Sequence, residues 1–234
     1  MKEGYQLSIE DVGCKRSGRW VFRHLNLNLK PGVFVAVVGP SGVGKSSLLE
    51  CLAGIIEPDE GQIIYRDAAG KIETPKQYQD HLGIIFQNLQ IVPQETLLRN
   101  VLTGSLHRLP WWRTLWGFPR REQEAAAKIL EMLGLGSKLY QAVGQISGGE
   151  QQRVAIARAI LHEPELYLAD EPVANLDAYL AGRVLGYLKQ EAKQKRRTVF
   201  CVLHHADHVN RFADYALSLD PTDPSGCHIR KVGE

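Results

Sequence analysis

Hydrophobic and polar residues alternate along residues 5–29, as in "YQLSIEDV" and "WVFRHLNLNL". This period predicts antiparallel strands joined by the turn-like segment "CKRSGR". A continuous apolar run at residues 33–38 then has the length and the β-branched content of a buried strand. The segment "PDEGQIIYRDAAGKI" predicts a further hairpin, and "HLGIIFQ" predicts another short strand.

From about residue 89 to residue 161 the spacing becomes helical, as in "REQEAAAKILEMLG" and "GEQQRVAIARAILH". Strand-like "ELYLADE" and "RTVFCVLHH" follow, separated by the helix-like "LAGRVLGYLKQEAKQKR", which is the βαβ order of a parallel sheet. We therefore predict an α/β fold. Residues 1–88 and 162–220 form a β subdomain and a core, residues 89–161 form an inserted helical subdomain, and residues 221–234 form a tail.

Composition and charge narrow the class of protein. The 28 basic and 26 acidic residues give a net charge of +2, so the chain as a whole shows no preference for nucleic acid or an anionic membrane. The four cysteines lack C-x-x-C spacing, and Cys51 and Cys201 lie in apolar segments, which favours a reducing compartment. No signal peptide and no apolar run of about 18 residues occurs, so we expect a chain that neither spans a membrane nor is exported by that route.

A glycine-rich loop follows the buried strand and precedes a helix-like segment. Gly39, Gly44, Lys45 and Ser46 fit the pattern G-x-x-x-x-G-K-[ST], whose backbone N–H groups turn inward around phosphates. Lys45 is expected to reach the β- and γ-phosphates, and the Ser46 hydroxyl to hold Mg²⁺. A chance match is the alternative, and the flanking strand and helix weigh against it. The predicted nucleotide-binding residues are Gly39, Pro40, Ser41, Gly42, Val43, Gly44, Lys45, Ser46 and Ser47.

Two carboxylates end the strand-like segment "LYLADEP". Asp170 and Glu171 then lie at the carboxyl edge of the sheet, where α/β folds bind their ligands. Asp170 suits a Mg²⁺ ligand, and Glu171 suits the polarisation of a water that attacks the γ-phosphate. The alternative is that both acids merely cap a strand end in water.

The segment "ISGGEQQRVAIARAI" resembles the signature of ATP-binding cassette (ABC) ATPases, usually LSGGQ followed by QQR. Ile146 replaces the usual leucine, and Glu150 replaces the usual glutamine. The Ser147 hydroxyl, the N–H groups of Gly148 and Gly149 and the positive helix end suit an anion. An ordinary serine N-cap explains Ser147 but not the two glycines. In the family this surface closes over the γ-phosphate that the opposite subunit holds.

Other family motifs occur in the family's order. The resemblance implies that Gln87 senses Mg²⁺ and the attacking water and relays to a membrane partner. It implies that Asp177, ending "ANLD", crosses a dimer interface. It also implies that His204, after "TVFCVL", hydrogen bonds the γ-phosphate, with His205 as the competing candidate.

Two of the departures from the family pattern matter for function. Glu150 places a carboxylate next to a surface for a polyanion, and we expect its side chain on the outer side of the signature turn. The family's adenine-stacking aromatic falls near Lys15, which is not aromatic. Trp20 is the nearest candidate for that role, and packing within its strand explains it equally well.

The resemblance covers residues 7–219 and implies a RecA-like P-loop NTPase core with an N-terminal antiparallel β subdomain and an inserted helical subdomain. It implies that two copies sandwich two ATP molecules, with Mg²⁺, and drive a separate membrane permease. Such a subunit lies in the cytoplasm, peripheral on the cell membrane.

The segment "RNVLTGSLHRLPWWRTLWGFPRREQEAAAKIL" resembles the ATPases of phosphonate importers. That subfamily implies import of phosphonate or a related phosphorus oxyanion, with a substrate-binding protein. The tryptophans and arginines of this segment also fit an interfacial membrane patch or a nucleic-acid stacking surface. Pro110 and Pro119 interrupt any long amphipathic helix, which favours permease contact or loop packing and no nucleic acid. The residues concerned are Trp111, Trp112, Arg113, Trp116, Arg120 and Arg121.

Two alternative functions remain. A soluble ABC ATPase acting on DNA or ribosomes is disfavoured because the chain carries one cassette, and no sustained heptads separate Lys45 from Ser147. A cassette for another cargo, such as lipoproteins or amino acids, is harder to exclude because the cargo is selected by the permease and the binding protein.

Overall fold

The computed structural model describes residues 4–86, 89–110, 112 and 117–233. The chain divides into two compact units. The first comprises the described residues within 1–84, 165–171 and 185–234, and the second comprises those within 85–164 and 172–184. The second unit thus includes the segment 89–161, for which the sequence predicts helices.

An antiparallel sheet opens the first unit, as the alternating pattern predicts. Its strands are β1 (Gln6–Arg16), β2 (Arg19–Leu29), β4 (Glu60–Arg66) and β5 (Ile72–Glu73), in the order β2-β1-β4-β5. Leu7 of β1 lies opposite Leu29 of β2, and both side chains are buried. The alternation therefore turns one face of the hairpin toward the core.

The second sheet runs from one edge to the other through β10 (His228–Lys231), β9 (Tyr215–Ser218), β3 (Phe34–Val38), β8 (Thr198–Val202), β7 (Leu166–Ala169) and β6 (Leu82–Ile85). Strands β3, β7, β8 and β9 are parallel where they pair, while β10 is antiparallel to β9. Strands β7 and β8 are buried throughout, which explains their continuous apolar sequences. This architecture confirms the predicted α/β class.

The core of the first unit joins both sheets to helix α1 (Lys45–Leu52). Leu48 and Leu52 of α1 belong to one buried cluster with Ile9 of β1 and Phe200 of β8. The thiols of Cys51 and Cys201 are also buried, as their apolar surroundings predict. Helix α1 is therefore fixed by hydrophobic contacts with both sheets.

Helices dominate the described part of the second unit. Among them are α2 (Leu97–Leu102), α3 (Arg120–Met132) and α4 (Gly148–His162), with α4 in contact with both of the others. A Cβ at Gly104 would lie 2.4 Å from the carbonyl oxygen of Arg158, so the close approach of this backbone to α4 requires glycine. Helix α5 (Ala178–Lys195) begins in the second unit and continues into the first, where α6 (Ala206–Phe212) also lies.

None of the helices in the described part of the chain combines the length and the apolar character that a bilayer crossing requires.

A buried ionic network ties α5 to the second sheet within the first unit. The Glu191 carboxylate is 4% exposed and forms ion pairs with Lys195, at 2.9 Å, and with Arg197. Tyr167 of β7 donates its hydroxyl to Glu191 at 3.5 Å and accepts from Arg197 at 3.3 Å. Burial raises the pKa of Tyr167, so the phenol stays a hydrogen-bond donor.

We predict that Glu191→Ala lowers the free energy of unfolding by roughly 3 kcal/mol, because the substitution leaves a largely buried guanidinium without its carboxylate. Urea unfolding followed by circular dichroism measures this change. Glu60→Ala is the matched control, because it removes a carboxylate from a more exposed pair with Arg23. Equal losses of stability in the two variants would contradict the assignment of a special role to the buried network.

Candidate active site

The glycine-rich loop connects β3 to α1, as the sequence predicts. Gly39, Gly42 and Gly44 all have positive φ, at 145°, 81° and 112°. A Cβ at Gly39 would lie 3.0 Å from the Leu219 carbonyl oxygen, and one at Gly44 would lie 3.0 Å from Val21. The positive φ values and the short distances to neighbouring atoms therefore each require glycine at Gly39 and Gly44, the two ends of the loop.

Lys45 begins helix α1 and folds back over its own loop. Its Nζ donates to the carbonyl oxygens of Gly39 and Pro40, both at 2.9 Å, and the residue is only 5% exposed. The carbonyls are neutral, so they orient the ammonium without cancelling its charge. The loop thus holds one fixed positive charge within a curve of backbone, which suits a phosphate.

Ser46 and Asp170 bring two oxygen ligands together. Asp170 directly follows β7 and is buried, and the Ser46 hydroxyl hydrogen bonds to its carboxylate. Burial raises the pKa of Asp170, while the Ser46 hydrogen bond and the charge of Lys45 oppose that rise. A hydroxyl and a carboxylate are hard oxygen donors of the kind that Mg²⁺ prefers, so these residues fit the predicted cation.

Glu171 and His204 form a close pair beside this position. The His204 Nε2 atom lies 2.6 Å from Glu171 Oε1. Glu171 has a φ of 50°, in the left-handed region that a non-glycine residue adopts at a cost of roughly 1 kcal/mol. His205, the competing candidate, instead contacts the ring of His208 at a centroid distance of 5.5 Å. The contact with Glu171 therefore favours His204 for the predicted catalytic role.

The predicted adenine platform, Trp20, lies on β2. Lys15 Nζ is 4.2 Å and Arg23 Cζ is 4.6 Å from the centroid of the Trp20 ring, so two cations already contact the indole. The role of Trp20 toward adenine stays a prediction.

Arg16, a residue that sequence reasoning missed, contacts the helix of the phosphate loop. Its Nε donates to Ser47 Oγ at 3.0 Å, and its guanidinium forms an ion pair with Glu50. No local pattern indicates this contact, since Arg16 and Ser47 are distant in sequence and meet only through the packing of β1 against α1.

The signature segment lies in the second unit and begins helix α4. Ser147 is the N-cap, and its Oγ accepts from the Glu150 backbone N–H while the Glu150 carboxylate accepts from the Ser147 N–H. The two glycines that follow the N-cap carry no side chains, so no side chain covers the backbone N–H groups at the start of the helix. A Cβ at Gly148 would meet nothing within 4 Å, and one at Gly149 would lie 3.2 Å from the Asn175 carbonyl oxygen.

The side chain of Glu150 departs from the expectation that it lies on the outer side of the signature turn. Its Oε2 is 3.0 Å from the Ser147 backbone nitrogen and 3.1 Å from Ser147 Oγ, so the carboxylate folds back into the turn. The physical reason is the capping box, which satisfies two backbone donors at the helix start.

Asp177 immediately precedes helix α5 in the second unit. Its Oδ1 accepts from the Leu180 N–H at 2.9 Å, which is an N-terminal cap. In the same unit, Gln152 of α4 accepts from the Asn175 amide at 3.2 Å and donates to the Pro172 carbonyl oxygen at 2.9 Å. The "ANLD" segment is thus tied to the signature helix, and the predicted dimer contact of Asp177 stays a prediction.

Several predictions fall outside the described residues. These are the sensor role of Gln87 and the contacts of Trp111, Arg113 and Trp116. Trp112 is described and is 52% exposed.

Comparison with known proteins gives consistent matches. Residues 22–174 match the family model described as "ABC transporter". The phosphonates import ATP-binding protein of Trichormus variabilis is 37% identical over 202 residues, which cover 86% of this chain and 83% of that protein. The protein of the same name from Hydrogenovibrio crunogenus is 38% identical over 204 residues, or 86% and 75% of the two chains.

Solved structures show the same fold. An ATP-binding cassette solved as a dimer in a post-hydrolysis state, bound to ADP and phosphate, aligns with a TM-score of 0.82 and 26% identity. The alignment covers 97% of this chain and 99% of that one. A second dimeric structure of the same cassette, described as a bacterial ABC transporter cassette, aligns with a TM-score of 0.80 and the same identity and coverage.

We predict that Lys45→Ala abolishes detectable ATP binding, because the substitution removes the fixed charge that the loop holds over its phosphate-binding curve. Titration with a fluorescent ATP analogue measures the affinity. Lys30→Ala is the control, since it removes one exposed positive charge from the turn between β2 and β3. Retained affinity in Lys45→Ala would contradict the phosphate-binding role of this lysine.

Proposed function

Because the chain belongs to the ABC transporter family, we propose that it powers the import of phosphonate or a related phosphorus oxyanion through a separate permease. The chain is an ABC ATPase, and it binds and hydrolyses ATP. The observation that carries the proposed cargo is the identity of 37–38% with phosphonates import ATP-binding proteins over 86% of this chain. The segment before α3 that contains tryptophans and arginines also resembles phosphonate-importer ATPases, which supports the same cargo.

The pair of Glu171 and His204 suits the hydrolytic step. In this proposal the Glu171 carboxylate polarises the attacking water, and the His204 imidazole hydrogen bonds the γ-phosphate and holds the geometry. Their contact of 2.6 Å fixes both side chains relative to each other before a substrate arrives. Lys45 binds charge that is already present in the ground state, so its role is distinct from that of the pair.

A magnesium ion belongs to this proposal. When bound, Mg²⁺ neutralises charge on the β- and γ-phosphates. Ser46 and Asp170 would hold it, and the predicted third participant is Gln87. The Ser46 hydroxyl and the Asp170 carboxylate are hydrogen-bond partners, so the two oxygens that would hold the ion lie next to each other.

Two copies of the chain complete each ATP site in this proposal. The phosphate loop lies in the first unit and the signature in the second, and each motif occurs once in the sequence. The dimeric arrangement of the solved cassette described above, seen in two structures, supports the pairing. Ser147, Gly148 and Gly149 of one copy would then face the γ-phosphate that the other copy holds.

The remaining partners follow from transport. A permease in the membrane carries the cargo, a substrate-binding protein delivers it, and this subunit lies on the cytoplasmic face. Trp112, which is more than half exposed, is suited to permease contact. No residue of this chain is expected to touch the cargo, since ATP energy reaches the permease as a conformational change.

We predict that Glu171→Gln binds ATP, hydrolyses it at least about a hundredfold more slowly, and accumulates as a dimer. The amide retains the shape of the carboxylate but cannot act as a base, so the ATP-bound state persists. Phosphate release and multi-angle light scattering measure the two effects, and Glu57→Gln, at an exposed site, is the control. A monomeric Glu171→Gln protein in saturating ATP and Mg²⁺ would argue against the sandwich.

We predict that a strain lacking this gene, and any redundant importer, fails to grow on a phosphonate as the sole phosphorus source. The reason is that a permease without its ATPase cannot complete the transport cycle. Complementation with the wild-type gene should restore growth, whereas the Glu171→Gln gene should not. Normal growth of the deletion strain would reject the phosphonate cargo, leave the ATPase activity standing, and direct attention to lipoprotein or amino-acid transport.

A further inference from the structure

The signature turn carries the negative charge of Glu150, although the proposed function requires this turn to bind the γ-phosphate, which is also an anion. Glu150 belongs to the first turn of α4, three residues after the N-cap Ser147. Hydrogen bonds from the Ser147 N–H and Oγ hold its carboxylate against the turn, and its side chain is 14% exposed. An uncompensated carboxylate at this position would repel a phosphate by direct charge repulsion.

Lys138 supplies a compensating charge. This residue ends a short helical turn, Gly136–Lys138, and its Nζ donates to Glu150 Oε1 at 2.7 Å. Arg153 of α4 is a more distant cation, with its nearest guanidinium nitrogen 3.9 Å from the same oxygen. The two oxygens of Glu150 are thus divided between Lys138 on one side and Ser147 on the other.

Protonation does not relieve the charge problem. The hydrogen bonds from Lys138 and Ser147 lower the pKa of Glu150 to about 2, so the carboxylate is ionised at neutral pH. The turn can therefore present a neutral face to an anion only if a cation stays bound to Glu150.

We propose that Lys138 is a positioning residue of the ATP site, which cancels the charge of Glu150 and holds that carboxylate on Ser147, so that the signature turn accepts the γ-phosphate. This inference rests on the proposed ATP-sandwiched dimer. Lys138 acts through Glu150 and makes no contact with the nucleotide itself. The glutamate and the lysine form one unit in which each residue is tolerated because of the other.

The test is a double-mutant cycle in the Glu171→Gln background, where ATP-bound dimers persist. We expect Lys138→Met to weaken ATP-dependent dimerisation by about tenfold, because the carboxylate then keeps only its longer ion pair with Arg153 and repels the phosphate more strongly. Adding Glu150→Gln should restore dimerisation to near the parent value, since it removes the charge that Lys138 cancels. The defect should also shrink at high salt, which screens the repulsion.

Controls separate this role from a structural one. Lys128→Met removes an exposed positive charge from α3 in the same unit and should leave dimerisation unchanged. Urea unfolding identifies any variant that is simply unstable, and the rescue by Glu150→Gln distinguishes charge compensation from loss of packing. In the native background, Lys138→Met should raise the KM for ATP more than it lowers kcat, because it weakens closure rather than chemistry.

Two outcomes overturn different claims. If the Glu171→Gln parent dimerises and Lys138→Met dimerises equally well, or if Glu150→Gln fails to rescue it, the role of Lys138 is wrong. If the parent does not dimerise with ATP and Mg²⁺, the ATP-sandwiched dimer fails first.

Discussion

The site depends on one geometric constraint, which is that parallel strands place their carboxyl ends at the same edge of a sheet. Strands β3, β8 and β7 are consecutive neighbours and run parallel. The phosphate loop follows β3, Asp170 and Glu171 follow β7, and His204 follows β8 after a single buried leucine. Three segments that are far apart in sequence therefore meet because their strands pair in register.

Rigidity at this edge has an energetic cost that the core offsets. Glu171 adopts a left-handed φ, and three glycines of the loop also have positive φ. Such conformations persist only where the surroundings fix them. The buried strands β7 and β8 and the apolar contacts of α1 provide that support. Lys45 and Glu171 are thus held by backbone geometry before any phosphate binds, which is the arrangement that electrostatic preorganisation requires.

The sequence predicts those parts of the site that depend on local spacing. Gly39, Gly44, Lys45 and Ser46 fit one short motif, and the strand and helix on either side follow from an apolar run and from helical spacing. Asp170 and Glu171 are predictable because they terminate an apolar run. The same reasoning cannot place Arg16 on Ser47, since that contact depends on how β1 packs against α1.

Glu150 is a second case in which the sequence alone does not reveal a contact that forms only in the folded protein. The sequence shows that a carboxylate replaces an amide, but it does not show where the carboxylate points or what neutralises it. Lys138 lies twelve residues earlier, in a short turn with no repeating pattern, and reaches Glu150 only in the folded unit. An isolated view of the motif therefore suggests a weakened anion site, whereas the structure shows a paired charge. In general, a departure from a family motif has to be judged together with the residues that surround it in space. A compensated substitution is expected to be tolerated only while its partner is retained, so the motif and its neighbour should be treated as one functional element.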